Sequence, residues 1–382
     1  MKFGQFEIIR WHPNTTPRHS IEAVMEKIEL GDQLGIDEIW VGEHHFSRHG
    51  LVSGVFSLLG NIAARTKNVR IGSAVVVLPW RSPIQTAEEA ATIDILSGGR
   101  LTLGVGAGYQ ALEFNGMGAD ITQARARFRE YIDVILGCWQ DEPLTYKGEF
   151  IDVTDLNILP KPIQDPIPIH VAVSTSPERV DFAASRGLPI MVGGPTAVIG
   201  QIPDVIALWH ERMEHHGHAH EHIDLGVAQN IYVAPTMEEA ERDIAGLETE
   251  IDAEFLRIGN PKSASGALPQ GFEQWGRRDE DRIHGAKSAK KLGILPLVGT
   301  PEVVCERIEV LRSLGINSIR GNFGKAGLDA GKMHQCMHLF AEEVMPQLTD
   351  LFDDDWEDHW WPSPMPRQQR AVPGTLTEAF WQ

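Results

Sequence analysis

The chain has 382 residues, and its 34 lysines and arginines stand against 53 aspartates and glutamates, which gives a formal net charge of −19. This acidic balance argues against nucleic acid or an anionic membrane surface as a partner, because both recruit basic patches. The three cysteines are far apart, which argues against a disulfide scaffold or a cysteine-based zinc site. The start of the chain has no leader-like pattern, and no apolar run approaches the ~20 residues of a membrane span, so we expect a cytoplasmic protein.

Short β-branched runs alternate with amphipathic stretches along the chain. Apolar residues at helical spacing predict helices within 20–35 and 329–348. Eight strands are predicted, at 2–9, 38–45, 69–78, 100–106, 167–173, 189–193, 225–233 and 317–323. Strands and helices that alternate in this way predict an α/β protein with a (β/α)8, or TIM, barrel.

We assign the barrel to residues 1–349. Three segments of the chain are not needed for a minimal barrel. Residues 141–165 predict a small hairpin and a proline-rich approach to the fifth strand. Residues 259–295 are rich in glycine, serine and charge and are predicted to form a lid, since loops this long are usually functional or disordered. The tail 350–382 is acidic and then aromatic, and we expect it to dock on another subunit of a homo-oligomer, with packing on its own barrel as the alternative.

Catalytic residues of such barrels lie at the carboxyl ends of the strands. The second predicted strand ends in Glu43, His44 and His45. Adjacent strand residues point to opposite faces, so only one of the two histidines is expected to face the mouth of the barrel. Glu43 is a natural partner to orient an imidazole ring.

Two further strand ends suggest a bound ligand. The fourth strand ends in glycines at a spacing of two, within Gly104–Gly108, a pattern that indicates close approach of the backbone to a ligand. The fifth ends in Ser174, Thr175 and Ser176, directly before a predicted helix. Hydroxyls and free N–H groups at a helix start bind anions, although an ordinary helix cap has the same sequence.

Seven motifs, in order and in register, resemble one known family. They are MKFGQF at 1–6, EHHF at 43–46, IGSAVVVLP at 71–79, GGRLTLGVGAGY at 98–109, AASRGLPIMV at 183–192, VGTPEVV at 298–304 and FAEEVMPQL at 340–348. Over roughly residues 1–350 the chain resembles the bacterial luciferase-like flavin-dependent monooxygenases. The resemblance implies the same eight-stranded barrel and a flavin cofactor, either FMN or, in a related branch, a deazaflavin.

The resemblance also implies roles for single residues. His44 matches the catalytic histidine, and the Ala74–Val75 bond matches a non-proline cis peptide bond beside the isoalloxazine ring. Gly106 stands where luciferase has a reactive cysteine, and Ala107 stands where it has an arginine near the phosphate. Because both differ here, phosphate binding is expected to fall on Ser174–Ser176 and the helix start.

We therefore expect a two-component monooxygenase. A separate flavin reductase would supply reduced FMN (FMNH₂), because the chain has no nicotinamide-binding fingerprint. O₂ would be activated as a flavin hydroperoxide and a small organic substrate oxygenated. His44 would act as acid or base, with Glu43 or a neighbour fixing its tautomer, and Tyr109 is a candidate wall or hydrogen-bond donor.

Three alternatives stay open. A deazaflavin-dependent dehydrogenase would use the same barrel for hydride transfer, and a non-catalytic flavin-binding partner subunit would not need His44. A metal-dependent hydrolase is disfavoured because His44 and His45 are expected to diverge. The histidines within 215–222 are more typical of a solvated loop than of a metal site. No metal is expected.

Overall fold

Eight parallel strands close into a barrel in the computed structural model, which describes residues 1–173, 176–192, 201–218, 224–245, 294–324 and 328–348. The strands are β1 (Lys2–Glu7), β2 (Glu38–Val41), β3 (Arg70–Ser73), β4 (Val76–Val77), β5 (Leu101–Gly106), β6 (Leu144–Lys147), β7 (Asp152–Leu156), β8 (Ile169–Val173), β9 (Ile190–Val192), β10 (Gly226–Val233), β11 (Leu297–Gly299) and β12 (Ser318–Phe323). Hydrogen bonds order the barrel as β12-β1-β2-β3-β5-β8-β9-β10 and back to β12. All eight predicted strands overlap a barrel strand, which confirms the predicted fold.

Helices cover the outside of the barrel between successive strands. Within the described ranges they are α1 (Pro17–Gln33), α2 (Val55–Arg65), α3 (Pro83–Ser97), α4 (Ala111–Met117), α5 (Ala124–Trp139), α6 (Pro177–Ala184), α7 (Ile202–His215), α8 (Met237–Ile244), α9 (Pro301–Ser313) and α10 (Ala330–Leu339). Several begin at a hydroxyl N-cap followed by proline, as at Thr16 of α1 and Thr300 of α9. In the part of the chain that the structure describes, no helix has the length and apolar character that would let it cross a membrane.

The predicted insertions have different outcomes. The hairpin expected in 141–165 is confirmed, because β6 and β7 pair antiparallel. Of the predicted lid, 259–295, only the last two residues lie within the described ranges, and the tail 350–382 lies wholly outside them.

Two strand ends differ from the sequence prediction. β2 ends at Val41 rather than at residue 45, because the following segment turns back and the His44 amide donates to Val52 O at 3.1 Å. The run predicted at 69–78 divides into β3 and β4 at the Ala74–Val75 peptide bond, which is cis. Both differences lie at the mouth of the barrel.

The centre of the barrel is filled by two large side chains, Trp40 and Arg320. The Arg320 guanidinium lies 4.2 Å from the centre of the Trp40 ring system, and both side chains are fully buried. Glycines on neighbouring strands make this possible: a Cβ added at Gly72 would lie 2.6 Å from the Trp40 ring, and one at Gly226 would overlap the guanidinium. The barrel is therefore closed below its mouth.

A buried ion cluster surrounds Arg320 near the amino ends of the strands. Its Nη2 donates to Asp224 Oδ2 at 2.7 Å and lies 3.2 Å from His170 Nδ1, while its Nε lies 3.7 Å from Glu38 Oε2. Burial and the nearby Asp224 raise the pKa of Glu38 to about 7, and burial holds the pKa of His170 well below its usual value. We call Glu38, Trp40, His170, Asp224 and Arg320 the floor cluster.

Candidate active site

The carboxyl ends of the barrel strands surround an open recess. On four strands, residues toward this end are partly or fully exposed although both of their sequence neighbours are buried; these residues are Phe6, Ala172, Ala228, Asn230 and Asn322. Because strand side chains alternate between faces, this pattern identifies the side chains that face into the barrel and reach solvent through the mouth. Two of the five are alanines, which leaves room above the closed centre.

The Ala74–Val75 segment borders the same recess, and both residues are partly exposed. A Cβ added at Gly106 would lie 2.6 Å from Val75 Cγ2, so Gly106 is glycine because Val75 packs on it. The Ser73 hydroxyl donates to Gly104 O at 2.8 Å, and the Ser73 backbone oxygen blocks any Cβ at Gly104. These glycines accommodate the neighbouring strand, and Gly106 supports Val75 from behind; their approach to a ligand stays a prediction.

His44 lies at the edge of the recess and is held by a glutamate that sequence reasoning missed. His44 Nδ1 lies 3.0 Å from Glu113 Oε1, and the same oxygen accepts the His45 amide at 2.9 Å. An ionised carboxylate only accepts hydrogen bonds, so Nδ1 carries the hydrogen and Nε2 is left as the basic nitrogen. Glu113 is buried in the first turn of α4, where the helix dipole favours its negative charge.

His45 takes Glu43 rather than Glu113 as its side-chain partner. The strand alternation that predicted opposite directions for His44 and His45 does not apply, because β2 ends at Val41, and both residues border the same cavity. His45 Nε2 lies 2.8 Å from Glu43 Oε1, and both side chains are buried. Glu43 also accepts from Arg81 Nη2 at 2.9 Å and from the Val77 amide at 3.2 Å. The expectation that Glu43 orients His44 is therefore wrong, because its oxygens are committed to the segment that follows the cis peptide bond.

Gln110 lies between Tyr109 and His44. Its buried amide nitrogen donates to Tyr109 Oη at 3.4 Å and lies 3.3 Å from His44 Nδ1, which cannot accept from it while Nδ1 carries the hydrogen. On another side, the His49 ring meets the His44 ring edge to face at 4.8 Å, and burial together with the nearby His44 lowers the pKa of His49 to about 2. His49 therefore stays uncharged beside His44 at neutral pH.

A cavity of about 410 Å³ opens beside His44. Its walls are apolar at Trp11, Phe46 and Leu51, with Arg48 and serine hydroxyls between them. Pockets of this size and mixed lining typically hold small molecules, with a few polar groups fixing their orientation.

A cationic cleft lies at the start of α6, where the sequence predicted an anion site. Ala107 lies buried at this cleft beside Arg125 and Arg179, and Arg125 Nη1 pairs with Glu178 Oε2 at 3.0 Å. Burial and the nearby Arg125 lower the pKa of Arg179 to about 10, and its buried Nε has no hydrogen-bond partner within the described residues. The Ser176 side chain makes no capping bond to the helix. An anion bound here would offset this excess positive charge.

The sequence-predicted residues thus divide into groups. His44, Tyr109 and the Ala74–Val75 segment lie at the mouth, and Ala107 lines the cationic cleft. Ser176 is the N-cap of α6, whose first turn borders the cleft, whereas Ser174 and Thr175 fall outside the described residues. Sequence reasoning missed Glu113, Arg125 and Arg179. A usable signal existed for Glu113, an acidic residue in the first turn of the helix that directly follows a barrel strand.

Comparison with known proteins agrees with this geometry. The family model for luciferase-like monooxygenase matches residues 1–318. The 4-hydroxyprotoasukamycin monooxygenase of Streptomyces nodosus subsp. asukaensis is 28% identical over 389 residues, covering 97% of this chain and 99% of that protein. The oxygenase component of the flavin-dependent trigonelline monooxygenase of Acinetobacter baylyi is 32% identical over 195 residues, or 50% of this chain and 54% of its own length. The FMNH₂-dependent dimethylsulfone monooxygenase of Pseudomonas putida is 27% identical and covers 76% of this chain and 77% of itself.

Two solved structures share the fold at low identity. The oxygenating constituent of 3,6-diketocamphane monooxygenase from Pseudomonas putida, a type II Baeyer-Villiger enzyme in complex with FMN, aligns with a TM-score of 0.74 at 20% identity over 91% of this chain and 99% of its own. An F420-dependent secondary alcohol dehydrogenase aligns with a TM-score of 0.67 at 19% identity over 91% and 99%. At these identities the alignments establish the barrel and leave the reaction open.

Proposed function

This chain belongs to the luciferase-like monooxygenase family, and we propose that it is the oxygenase component of a two-component system that uses reduced FMN and O₂ to oxygenate a small organic substrate. The observation that carries the proposal is the His44–Glu113 pair at the edge of the barrel recess. A histidine with one nitrogen fixed by a buried carboxylate and the ring beside a cavity is an arrangement suited to moving a proton at a bound substrate.

The residues present suit FMN chemically, and the cationic cleft, whose cavity of about 10 Å³ holds no more than one water molecule, would open to admit the phosphate group. The recess offers the small side chains of Ala172 and Ala228 and the Ala74–Val75 segment, against which a planar ring system can lie. The cationic cleft offers Arg125, Arg179 and the start of α6 to the phosphate group. The buried Arg179 Nε, which finds no hydrogen-bond partner among the described residues, is the observation that speaks for an anionic ligand, since a buried polar atom without a partner is costly.

Reduced flavin, when bound, supplies the electrons that activate O₂. The protein holds the flavin and the substrate, shields the reacting groups and moves protons. His44 Nε2 takes a proton from the substrate or returns one to it, and Glu113 stabilises the imidazolium that forms. Trp11 and Leu51 line part of the cavity with apolar surface and would help to keep water from the reacting groups once a substrate fills it.

A separate reductase is part of the proposal. The sequence has no nicotinamide fingerprint, and one relative is named as an oxygenase component. We propose that the reductase delivers FMNH₂ to the open mouth of the barrel. Cytoplasmic location and assembly into a homo-oligomer stay predictions.

The decisive experiment compares two reduced cofactors. The protein is titrated without oxygen with reduced FMN and, separately, with reduced F420, and the loaded protein is then mixed with ¹⁸O₂ and a panel of phenols, ketones and sulfur compounds. We expect selective binding of reduced FMN and transfer of one ¹⁸O atom to one substrate class. Selective binding of reduced F420, with no incorporation of ¹⁸O, would instead establish the dehydrogenase alternative that the F420-dependent structure represents.

A further inference from the structure

We infer that the cavity beside His44 binds the organic substrate and selects a planar aromatic ring that carries a carboxylate, with Arg48 as the residue that recognises the anion. This inference rests on the proposed function, because it assigns the substrate class of the same site. The cavity volume of about 410 Å³ suits a molecule of one or two rings.

The segment that forms the cavity is fixed by backbone hydrogen bonds. The Leu51 amide donates to Ile9 O at 2.8 Å, and the Trp11 amide donates to Arg48 O at 2.9 Å. These bonds tie the 44–53 loop to the chain that leaves β1, so Trp11 and Arg48 are held on one wall. A recognition site benefits from this rigidity, because less conformational freedom is lost on binding.

Arg48 is placed for recognition of an anion. Its guanidinium carbon lies 4.6 Å from the centre of the Trp11 ring system, and both residues line the cavity. A guanidinium held over an aromatic face keeps a planar fork of N–H donors, which matches the two oxygens of a carboxylate. Lysine, with a single point charge, would not provide this match.

Phe46 also lines the cavity and presents an aromatic face to it from a disfavoured backbone conformation. Phe46 has a φ of 59°, a left-handed value that is unusual for a bulky residue, yet its side chain is 58% exposed. The Phe46 ring lies so close to Gly116 of α4 that a Cβ at Gly116 would overlap it. A bulky residue held in this conformation with its ring beside a cavity points to a functional contact rather than to core packing.

The aromatic and charged side chains of the cavity therefore match one type of ligand. Trp11 and Phe46 offer faces for a planar ring, Arg48 offers a fork for a carboxylate, and His44 offers an acid–base group in the same cavity. In a chain with a net charge of −19, a cationic contact at the mouth also distinguishes this site from the surrounding surface. A ring substituent that loses a proton would be placed beside His44.

The test uses 4-hydroxybenzoate and 4-hydroxybenzamide, which differ only in the carboxylate. Binding to the full chain is measured by calorimetry, first alone and then without oxygen in the presence of reduced FMN. We expect the carboxylate to bind about tenfold or more tightly than the amide, as one charged hydrogen bond can provide. Arg48→Gln should remove this preference, Arg48→Lys should retain only part of it, and Trp11→Ala should weaken both ligands.

Arg65→Gln is the matched control. Arg65 pairs with Glu29 at the surface and does not line the cavity, so its loss changes the net charge equally without affecting the preference. Equal binding of the two ligands, no binding of either, equal losses in Arg48→Gln and Arg65→Gln, or displacement of 4-hydroxybenzoate by reduced FMN would each overturn the inference. A chain that binds the carboxylate but not reduced FMN would contradict the proposed function alone.

Discussion

The mouth and the floor of this barrel each place a histidine near a carboxylate, and the two sites differ in access. At the mouth, His44 lies 3.0 Å from Glu113 and is partly exposed beside a cavity. At the floor, His170 lies 3.9 Å from Asp224, and both side chains are buried together with Arg320. Similar side chains therefore occupy a solvent-accessible site at one end and a sealed core at the other.

The difference shows that a displaced pKa alone does not locate an active site. Glu38 and His170 have strongly displaced pKa values because they are buried, and their charges are balanced within the floor cluster. A site for chemistry also needs space for a reactant, which the described residues provide beside His44. The floor cluster is accordingly assigned to stability and the mouth to the reaction.

The largest expected effect separates the two histidines. His44→Ala should lower the turnover of reduced-FMN-dependent oxygenation by ~10²–10⁴, the usual contribution of general acid–base catalysis. Thermal unfolding should be nearly unchanged. The matched variant His170→Ala should lower the melting temperature and retain turnover in the folded fraction. Near-normal turnover in His44→Ala would remove it from the mechanism.

Removal of the floor cation should mainly cost stability. Arg320→Met leaves Glu38 and Asp224 buried without their cationic partner, and breaking a buried pair in this way costs about 3–5 kcal/mol. Urea unfolding followed by circular dichroism measures the loss. A variant as stable as the parent would show that the floor cluster does not stabilise the barrel.

A smaller effect is expected from the residue that positions His44. Glu113→Gln keeps an oxygen for the His45 amide but removes the charge that stabilises the imidazolium. We expect kcat to fall about tenfold with little change in KM and a displaced pH–rate profile. Glu43→Gln provides the contrast, because Glu43 binds Arg81 and its loss should lower stability first. Equal kinetic behaviour of the two variants would contradict the different roles assigned to them.

The smallest effect is a dependence of stability on pH. The pKa of Glu38 is about 7 in the folded chain, above its ordinary value near 4.5, so the folded state binds the proton more tightly. This contribution is complete below about pH 4.5 and is lost as the pH rises through 7. Glu38→Gln should reduce the fall in unfolding free energy between pH 5 and 8 by at least ~1 kcal/mol. An unchanged slope would show that Glu38 does not titrate in this range.

Much of the barrel could be predicted from sequence, because parallel strands buried on both faces appear as continuous apolar runs. The ends of the strands could not be predicted in this way. β2 stops at Val41 because the next segment bonds to Val52, and the apolar run at 69–78 does not mark the break at Ala74–Val75, whose cis bond the family resemblance implied and the structure confirms. Such boundaries are set by tertiary contacts rather than by local composition.

The sequence identified single residues of the site but not which residues lie next to each other in the fold. His44 could be identified from its position after a strand, whereas its partner Glu113 lies 69 residues away and the nearer Glu43 was the wrong choice. Arg125 and Arg179 meet only because α5 and the start of α6 adjoin in space. Patterns within one segment do not show which segments come together.

The central claim is that the mouth binds reduced FMN while the floor only supports the fold. Anaerobic titration of the parent, Arg179→Gln and Arg320→Met with reduced FMN tests it most directly. We expect Arg179→Gln to weaken binding about 10–100-fold without loss of stability, since it removes a charged contact from the cationic cleft. Arg320→Met should bind with the parental affinity in its folded fraction. Parental affinity in Arg179→Gln together with lost affinity in folded Arg320→Met would contradict the claim.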